Sequence, residues 1–268
     1  MNKNYSELTI RDPFIFGKVT TDPTVSQKLI SSLLDEDIQV ISEPEIEKYI
    51  RTRKDGKYVK LDLFILDDKN RLINAEMQNK SKDKQVQCDL PVRTRVYQSM
   101  IDSEVIKFGL KYKEVKECII IFICNFDLFG QGKYKYTFRN RCEENPEIVL
   151  NDRCTKIFYN TTADLSEVPE KTKNLLTYIE KGEVKDDVTK DLEAAVQSAR
   201  ENEEWGREYM LTFVREYDVY NEGVEEGLER GRKVLAETIE KLRSGKNEEE
   251  LRSEGVDEDT IELAKKLM

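Results

Sequence analysis

Two apolar runs, Lys60-Leu61-Asp62-Leu63-Phe64-Ile65 and Ile73-Asn74-Ala75-Glu76-Met77-Gln78, flank the turn-rich Asp67-Asp68-Lys69-Asn70-Arg71, and this spacing predicts a β-hairpin. Lys54-Asp55-Gly56-Lys57 predicts the turn that leads into its first strand. Upstream, Thr21-Asp22-Pro23 precedes Val25, Leu29, Ile30, Leu33 and Leu34, the pattern of a capped amphipathic helix with proline in its first turn. Downstream, Asp89-Leu90-Pro91 opens a predicted helix to about Phe108, with Val92, Val96, Met100, Ile101, Val105 and Ile106 as its buried stripe. The unbroken apolar run from Cys118 to Cys124 fits a strand buried on both faces, and weaker strands are expected near 133–139 and 154–159. The order helix, strand, strand, helix, strand predicts an α/β fold with a mixed sheet and helices on its faces.

From about Glu167 the texture changes to helical patterns at Leu175 to Glu180, Val188 to Ala199 and Glu203 to Leu242, followed by a short pair of helices ending at Met268. This predicts a first domain over 1–165 and an acidic helical extension over 166–268. The net charge of -10 follows the same division. Residues 1 to 165 hold 27 Lys and Arg against 26 Asp and Glu, leaving 17 against 28 for the rest. The field that a nucleic acid would meet is local, so the overall acidity neither excludes nor supports such a partner for the first part.

Composition narrows the chemistry. The chain of 268 residues has no histidine, which removes histidine triads, histidine-ligated zinc and histidine phosphotransfer together. Catalysis would rest on carboxylates, lysines, amides, hydroxyls, thiols or a hard cation. The five cysteines form no Cys-x-x-Cys pair, and their odd count in strand-like segments predicts reduced thiols. No apolar run is long enough to cross a bilayer, and the N-terminus has no signal-like stretch, so a cytoplasmic protein without membrane contact is expected.

An acid inside an apolar strand costs several kcal/mol to bury unless it is paired, neutralised or metal-bound. Asp62 alternates with Leu61 and Leu63, while Glu76 lies between Ala75 and Met77 and shares a face with Gln78. Register would bring Asp62 opposite Glu76 or Gln78. Two such carboxylates supply hard oxygen ligands for Mg²⁺ or Mn²⁺, the ions that serve phosphodiester hydrolysis. The plainer alternative places both acids on the wet face of an amphipathic hairpin.

Asp62, the run Ile73 to Gln78, and Leu90-Pro91-Val92-Arg93-Thr94-Arg95-Val96-Tyr97-Gln98-Ser99, followed by Gly109-Leu110-Lys111-Tyr112 ahead of strand 118–124, resemble the PD-(D/E)XK nuclease family transposases, or Rpn proteins. The resemblance runs from about Asp12 to Asn160. It implies a restriction-endonuclease-like PD-(D/E)XK core, a Mg²⁺-dependent DNA endonuclease linked to recombination or mobile DNA. Asp62 and Glu76 would be the metal ligands and Gln78 would occupy the usual lysine place. Glutamine orients a water but supplies neither charge nor proton chemistry, so Lys80 is a candidate surrogate. Asp12 is either a further metal ligand or a helix cap. Arg93 and Tyr97, at i and i+4, would grip phosphate from the following helix, or simply cover one another at the surface.

Glu222 to Gly231 repeats glycine at every fourth position, Gly223, Gly227 and Gly231, at a cost of about 1 kcal/mol each in a helix. The stripe suits self-association into a homo-oligomer through the C-terminal helices, or else belongs to an acidic spacer. The final pair of helices, with Gly255 at its turn, is too acidic to read DNA. A nuclease fold that acts only as a scaffold through this tail is the alternative to an active enzyme.

Overall fold

The computed structural model describes residues 4–51, 58–80, 88–106 and 111–268, without the side chains of 47, 51, 58 and 213–220. The turn expected at Lys54 to Lys57 and the Gly109-Leu110 segment lie outside the described residues. The chain divides into two compact units, Met1–Gly206 and Arg207–Met268.

The first unit is built on a six-stranded mixed sheet. Its strands are β1 (Glu45–Arg51), β2 (Tyr58–Leu66), β3 (Arg71–Gln78), β4 (Glu117–Cys124), β5 (Lys135–Phe138) and β6 (Cys154–Asn160), in the spatial order β1-β2-β3-β4-β6-β5. The first three form an antiparallel meander, β3, β4 and β6 run parallel, and β5 returns antiparallel on the edge. Helices α1 (Pro13–Val19) and α2 (Pro23–Leu34) precede the sheet, and α3 (Leu90–Val105) makes the crossover from β3 to β4. Asp12 and Asp22 cap α1 and α2, each with proline in the first turn.

The hairpin turn is set by Asp67, whose carboxylate accepts the backbone N–H groups of Lys69 (3.1 Å) and Arg71 (2.7 Å), and by Asn70 at φ 61°. That turn fixes the register, Leu66 opposite Leu72 through Leu63 opposite Ala75. Beside it β3 and β4 pair from Arg71 with Glu117 to Gln78 with Cys124, and both read as near-continuous apolar runs because both faces are covered. On the α3 side, Phe64, Leu72, Ile120, Phe122 and Phe158 pack with Leu90, Tyr97, Met100 and Ile101.

The buried stripe of α3 differs from the expected one. Leu90, Thr94, Tyr97, Met100 and Ile101 face inward, whereas Val92 and Val96 are exposed, as is Ile106 beyond the helix end. The first unit also extends past residue 165. Helices α4 (Glu170–Lys181) and α5 (Asp187–Glu201) bury Leu175, Leu176, Leu192 and Val196, and the Thr172 hydroxyl donates to Ser32 O at 2.7 Å on α2. Their apolar faces need cover, and α1 and α2 provide it.

Helix α6 (Glu203–Arg243) follows and carries the chain into the second unit, where α7 (Glu248–Ser253) and α8 (Glu258–Lys266) complete the structure. Leu251, Ile261, Ala264 and Thr238 are buried there, Asn247 and Asp257 cap the two short helices, and Gly255 turns between them at φ 84°.

Candidate active site

Continuing the hairpin register by one pair beyond Leu63 and Ala75 brings Asp62 level with Glu76. There the backbone ladder gives way to side chains. Glu76 Oε1 accepts the Asp62 N–H at 3.1 Å, and Asp62 Oδ2 accepts the Met77 N–H at 3.1 Å. Each carboxylate therefore reaches the backbone of the opposite strand, and the pair is fixed from both sides. Asn74 adds a third contact, its Nδ2 donating to Glu76 Oε1 at 3.0 Å.

Glu76 is 3% exposed. Burial first, and the neighbouring Asp62 charge second, raise its pKa well above the usual carboxylate range, against the opposing pull of hydrogen bonds and Arg93. Arg93 on α3 places its Nη2 at 4.0 Å from Glu76 Oε2. Arg93 is itself engaged, donating through Nη1 to Gln78 Oε1 (3.0 Å) and through Nη2 to the Tyr97 hydroxyl (2.6 Å). Its guanidinium also lies 5.4 Å from the ring centroids of Tyr97 and Phe122. Burial and the Glu76 charge push the Tyr97 hydroxyl up to about 12, so it stays protonated near neutral pH.

These groups line a cleft of about 890 Å³, with Lys60 and Asp62 from β2, Glu76 and Gln78 from β3, and Asp89, Val92, Arg93, Val96 and Tyr97 from the α3 region. The exposed faces of Val92 and Val96 form part of this wall, which explains their departure from the core stripe.

The structure brings together Asp62, Glu76, Gln78, Arg93 and Tyr97. Asp12 caps α1, one carboxylate oxygen accepting the Phe14 N–H at 3.0 Å, and its neighbour Pro13 lines the cleft. Among the described residues no group of three or more His, Cys, Asp or Glu side chains is placed to hold a metal ion. Lys80 is exposed beyond the end of β3, where its N–H donates to Asn125 Oδ1 at 2.6 Å, and it is not part of the cleft lining. Two residues escaped the sequence reading, Lys60 in the cleft wall and the buried Asn74 behind Glu76. Lys60 lies two positions before Asp62, on the same face of β2, a relation visible in the period of two. Asn74 stands in the same relation to Glu76, and was masked by the apolar run around it.

A family model described as PD-(D/E)XK nuclease family transposase matches residues 14–199. The chain belongs to that family. The match covers the whole sheet and continues through most of α5, so α4 and α5 are part of the family domain, in keeping with their packing on α1 and α2. No curated protein and no solved structure matches the chain. The mixed sheet flanked by helices is the PD-(D/E)XK type of α/β fold, and the family is one of nucleases associated with mobile DNA. No described helix is long and apolar enough to cross a membrane.

The donor set suits a hard divalent cation. Two carboxylates meet across the strands, the Asp62 charge opposing ionisation of Glu76, and the buried Oδ1 of Asn74, beside them, has no hydrogen-bond partner among the described residues. All are oxygen ligands, and a cation between Asp62 and Glu76 would offset the repulsion that raises the Glu76 pKa.

Proposed function

We propose that this protein is a Mg²⁺- or Mn²⁺-dependent DNA endonuclease, with Asp62 and Glu76 as the metal ligands. The observation that carries this reading is the carboxylate pair itself, a buried Glu76 and a half-buried Asp62 on adjacent strands, each hydrogen-bonded to the other strand's backbone. When bound, the metal supplies the positive charge that polarises a phosphoryl oxygen and favours a nucleophilic water. The protein's own groups hold the remaining parts in place. Gln78, anchored through its Oε1 by Arg93, presents its amide at the end of β3 and orients the water. Arg93 supplies the positive charge that glutamine lacks, 4.0 Å from Glu76. Tyr97 keeps its proton and holds the guanidinium from the other side. Lys60 meets substrate phosphate inside the cleft, Lys80 offers a contact outside it, and Asp12 serves chiefly as the cap of α1.

The test is nicking of supercoiled plasmid in Mg²⁺ and in Mn²⁺. Cleavage by the parent that disappears in Asp62→Ala and in Glu76→Ala is the expected result; equal cleavage by either variant would refute the assignment.

The alternative of a scaffold acting through the tail has its own support. A Cβ placed on Gly223, Gly227 or Gly231 would meet no described atom within 4 Å, and Val224 and Leu228 beside them are exposed. This face is suited to a second copy of α6, so the enzyme is proposed to act as a homo-oligomer. Light scattering on Val224→Glu/Leu228→Glu tests it: a fall in mass supports the assembly, and an unchanged mass removes it.

A further inference from the structure

A second pocket opens at the same edge of the sheet as the carboxylate site. Because β3, β4 and β6 are parallel, Gln78, Cys124 and Asn160 stand in register at their carboxyl ends. The loop that follows β6 and the last turns of α4 enclose a cavity of about 500 Å³. Two strand spacings, roughly 10 Å, separate the end of β3 from the end of β6. The ground between them is continuous. Asn79 Nδ2 donates to Arg11 O at 2.7 Å, Arg11 Nη1 lies 3.4 Å from Glu180 Oε1, and the Thr161 hydroxyl donates to Glu180 Oε2.

The charges around this pocket are unequally matched. Glu180 is held by Arg11 and Thr161, and Asp164 Oδ1 accepts the Ser166 N–H at 3.0 Å. Lys185 pairs with Glu183 at 2.8 Å. Lys173 and Lys181 also line the cavity, neither in a salt bridge among the described residues, although Lys181 lies close enough to Glu183 to help lower its pKa. They stand eight residues apart on α4 with Thr177 midway, hence on one helix face, with their Cα atoms about 12 Å apart at the helical rise. Such a span is too wide for one phosphate, and it matches a run of about three nucleotides at roughly 3.4 Å of helix axis each. Two ammonium groups without a salt bridge, lining one cavity, also run against the charge of residues 166 to 268, which carry 17 Lys and Arg and 28 Asp and Glu.

We propose that this pocket is a second phosphate-binding site, in which Lys173 and Lys181 hold the backbone of the nucleic-acid strand a few nucleotides to one side of the scissile bond. The site rests on the nuclease reading for its ligand, and it makes the carboxyl edge of β3, β4 and β6 a track rather than a single point of contact. Its work is binding and register, with no part in the chemical step.

The experiment measures fluorescence anisotropy of a labelled duplex oligonucleotide with the full chain, free of divalent metal, over a series of salt concentrations. The parent is compared with Lys173→Gln/Lys181→Gln and with Lys173→Arg/Lys181→Arg. The glutamine variant is expected to bind about 10-fold more weakly at low salt, with a slope of log K against log salt shallower by about 1.8, two phosphate contacts at 0.9 each. The arginine variant should retain affinity and slope. Mn²⁺ binding measured by calorimetry should be the same in all three, which shows that the carboxylate site is intact. Equal affinity and slope in parent and glutamine variant would overturn the second site while leaving the nuclease reading standing. A parent that binds neither duplex nor single strand would overturn both.

Discussion

The two ends of the β2–β3 hairpin bury carboxylates in opposite ways. At the turn, Asp67 is fully buried and fully matched: it accepts two backbone N–H groups and the Arg71 Nε at 2.7 Å, and Arg71 continues to Glu36 at 3.0 Å. Five positions back along the chain, Asp62 meets Glu76 across the strands, and Arg93 stands 4.0 Å from Glu76 and divides itself between Gln78 and Tyr97. Same hairpin and same residue class, yet at one end a single acid is ringed by donors, whereas at the other two carboxylates meet and the Asp62 charge helps to raise the Glu76 pKa. Burial of an acid is therefore uninformative until its partners are counted. An acid ringed by donors holds the fold, and a pair of carboxylates whose charges oppose one another is a candidate cation site.

The sharpest way to break this contrast is chemical. Asp62→Asn or Glu76→Gln should lower plasmid cleavage at least ~10³-fold, equivalent to about 4 kcal/mol of barrier, while the far-ultraviolet circular dichroism stays that of the parent. Asp67→Asn should do the reverse, costing about 3 kcal/mol in urea unfolding because Arg71 loses its closest partner in the interior. If Asp67→Asn were neutral, the two ends would not differ as described.

A smaller effect lies in pH. Glu76 holds its proton more tightly in the fold than in the unfolded chain, where its value is near 4.5. Its contribution to stability is thus fully present below about 4.5 and is lost as pH rises through the raised folded value. Metal-free parent should lose melting temperature across that window relative to Glu76→Gln, and the gap should widen towards alkaline pH. A constant gap would show that Glu76 is not strained by its charge. The smallest effect expected is that of Arg93→Lys. A lysine keeps the charge but cannot reach Gln78 and Tyr97 together, so kcat should fall about 10-fold with little change in Mn²⁺ affinity.

Much of this was legible in the residues. The hairpin, its turn, the α3 crossover, the buried β4 strand and the α/β fold follow from periodicity, and the family resemblance named Asp62, Glu76 and Gln78. The remainder depended on what packs where. Val92 and Val96 have the spacing of a core stripe, but the helix is rotated so that Tyr97 and Thr94 go inward and the valines wall the cleft. The compact unit ends at Gly206 because α4 and α5 cover α1 and α2, a long-range contact that the change of composition near Glu167 does not reveal. Asp12 is a position that motif alone leaves open: the Asp-Pro pair is also a capping signal, and one carboxylate oxygen accepts the Phe14 N–H.

The most direct test of the central claim, that Asp62 and Glu76 jointly hold one divalent cation, is calorimetric titration of Mn²⁺ into the metal-free parent and into Glu76→Gln. The account predicts saturable binding by the parent that is absent from the variant, accompanied by a rise in melting temperature only in the parent. Binding of equal affinity by both proteins would contradict it.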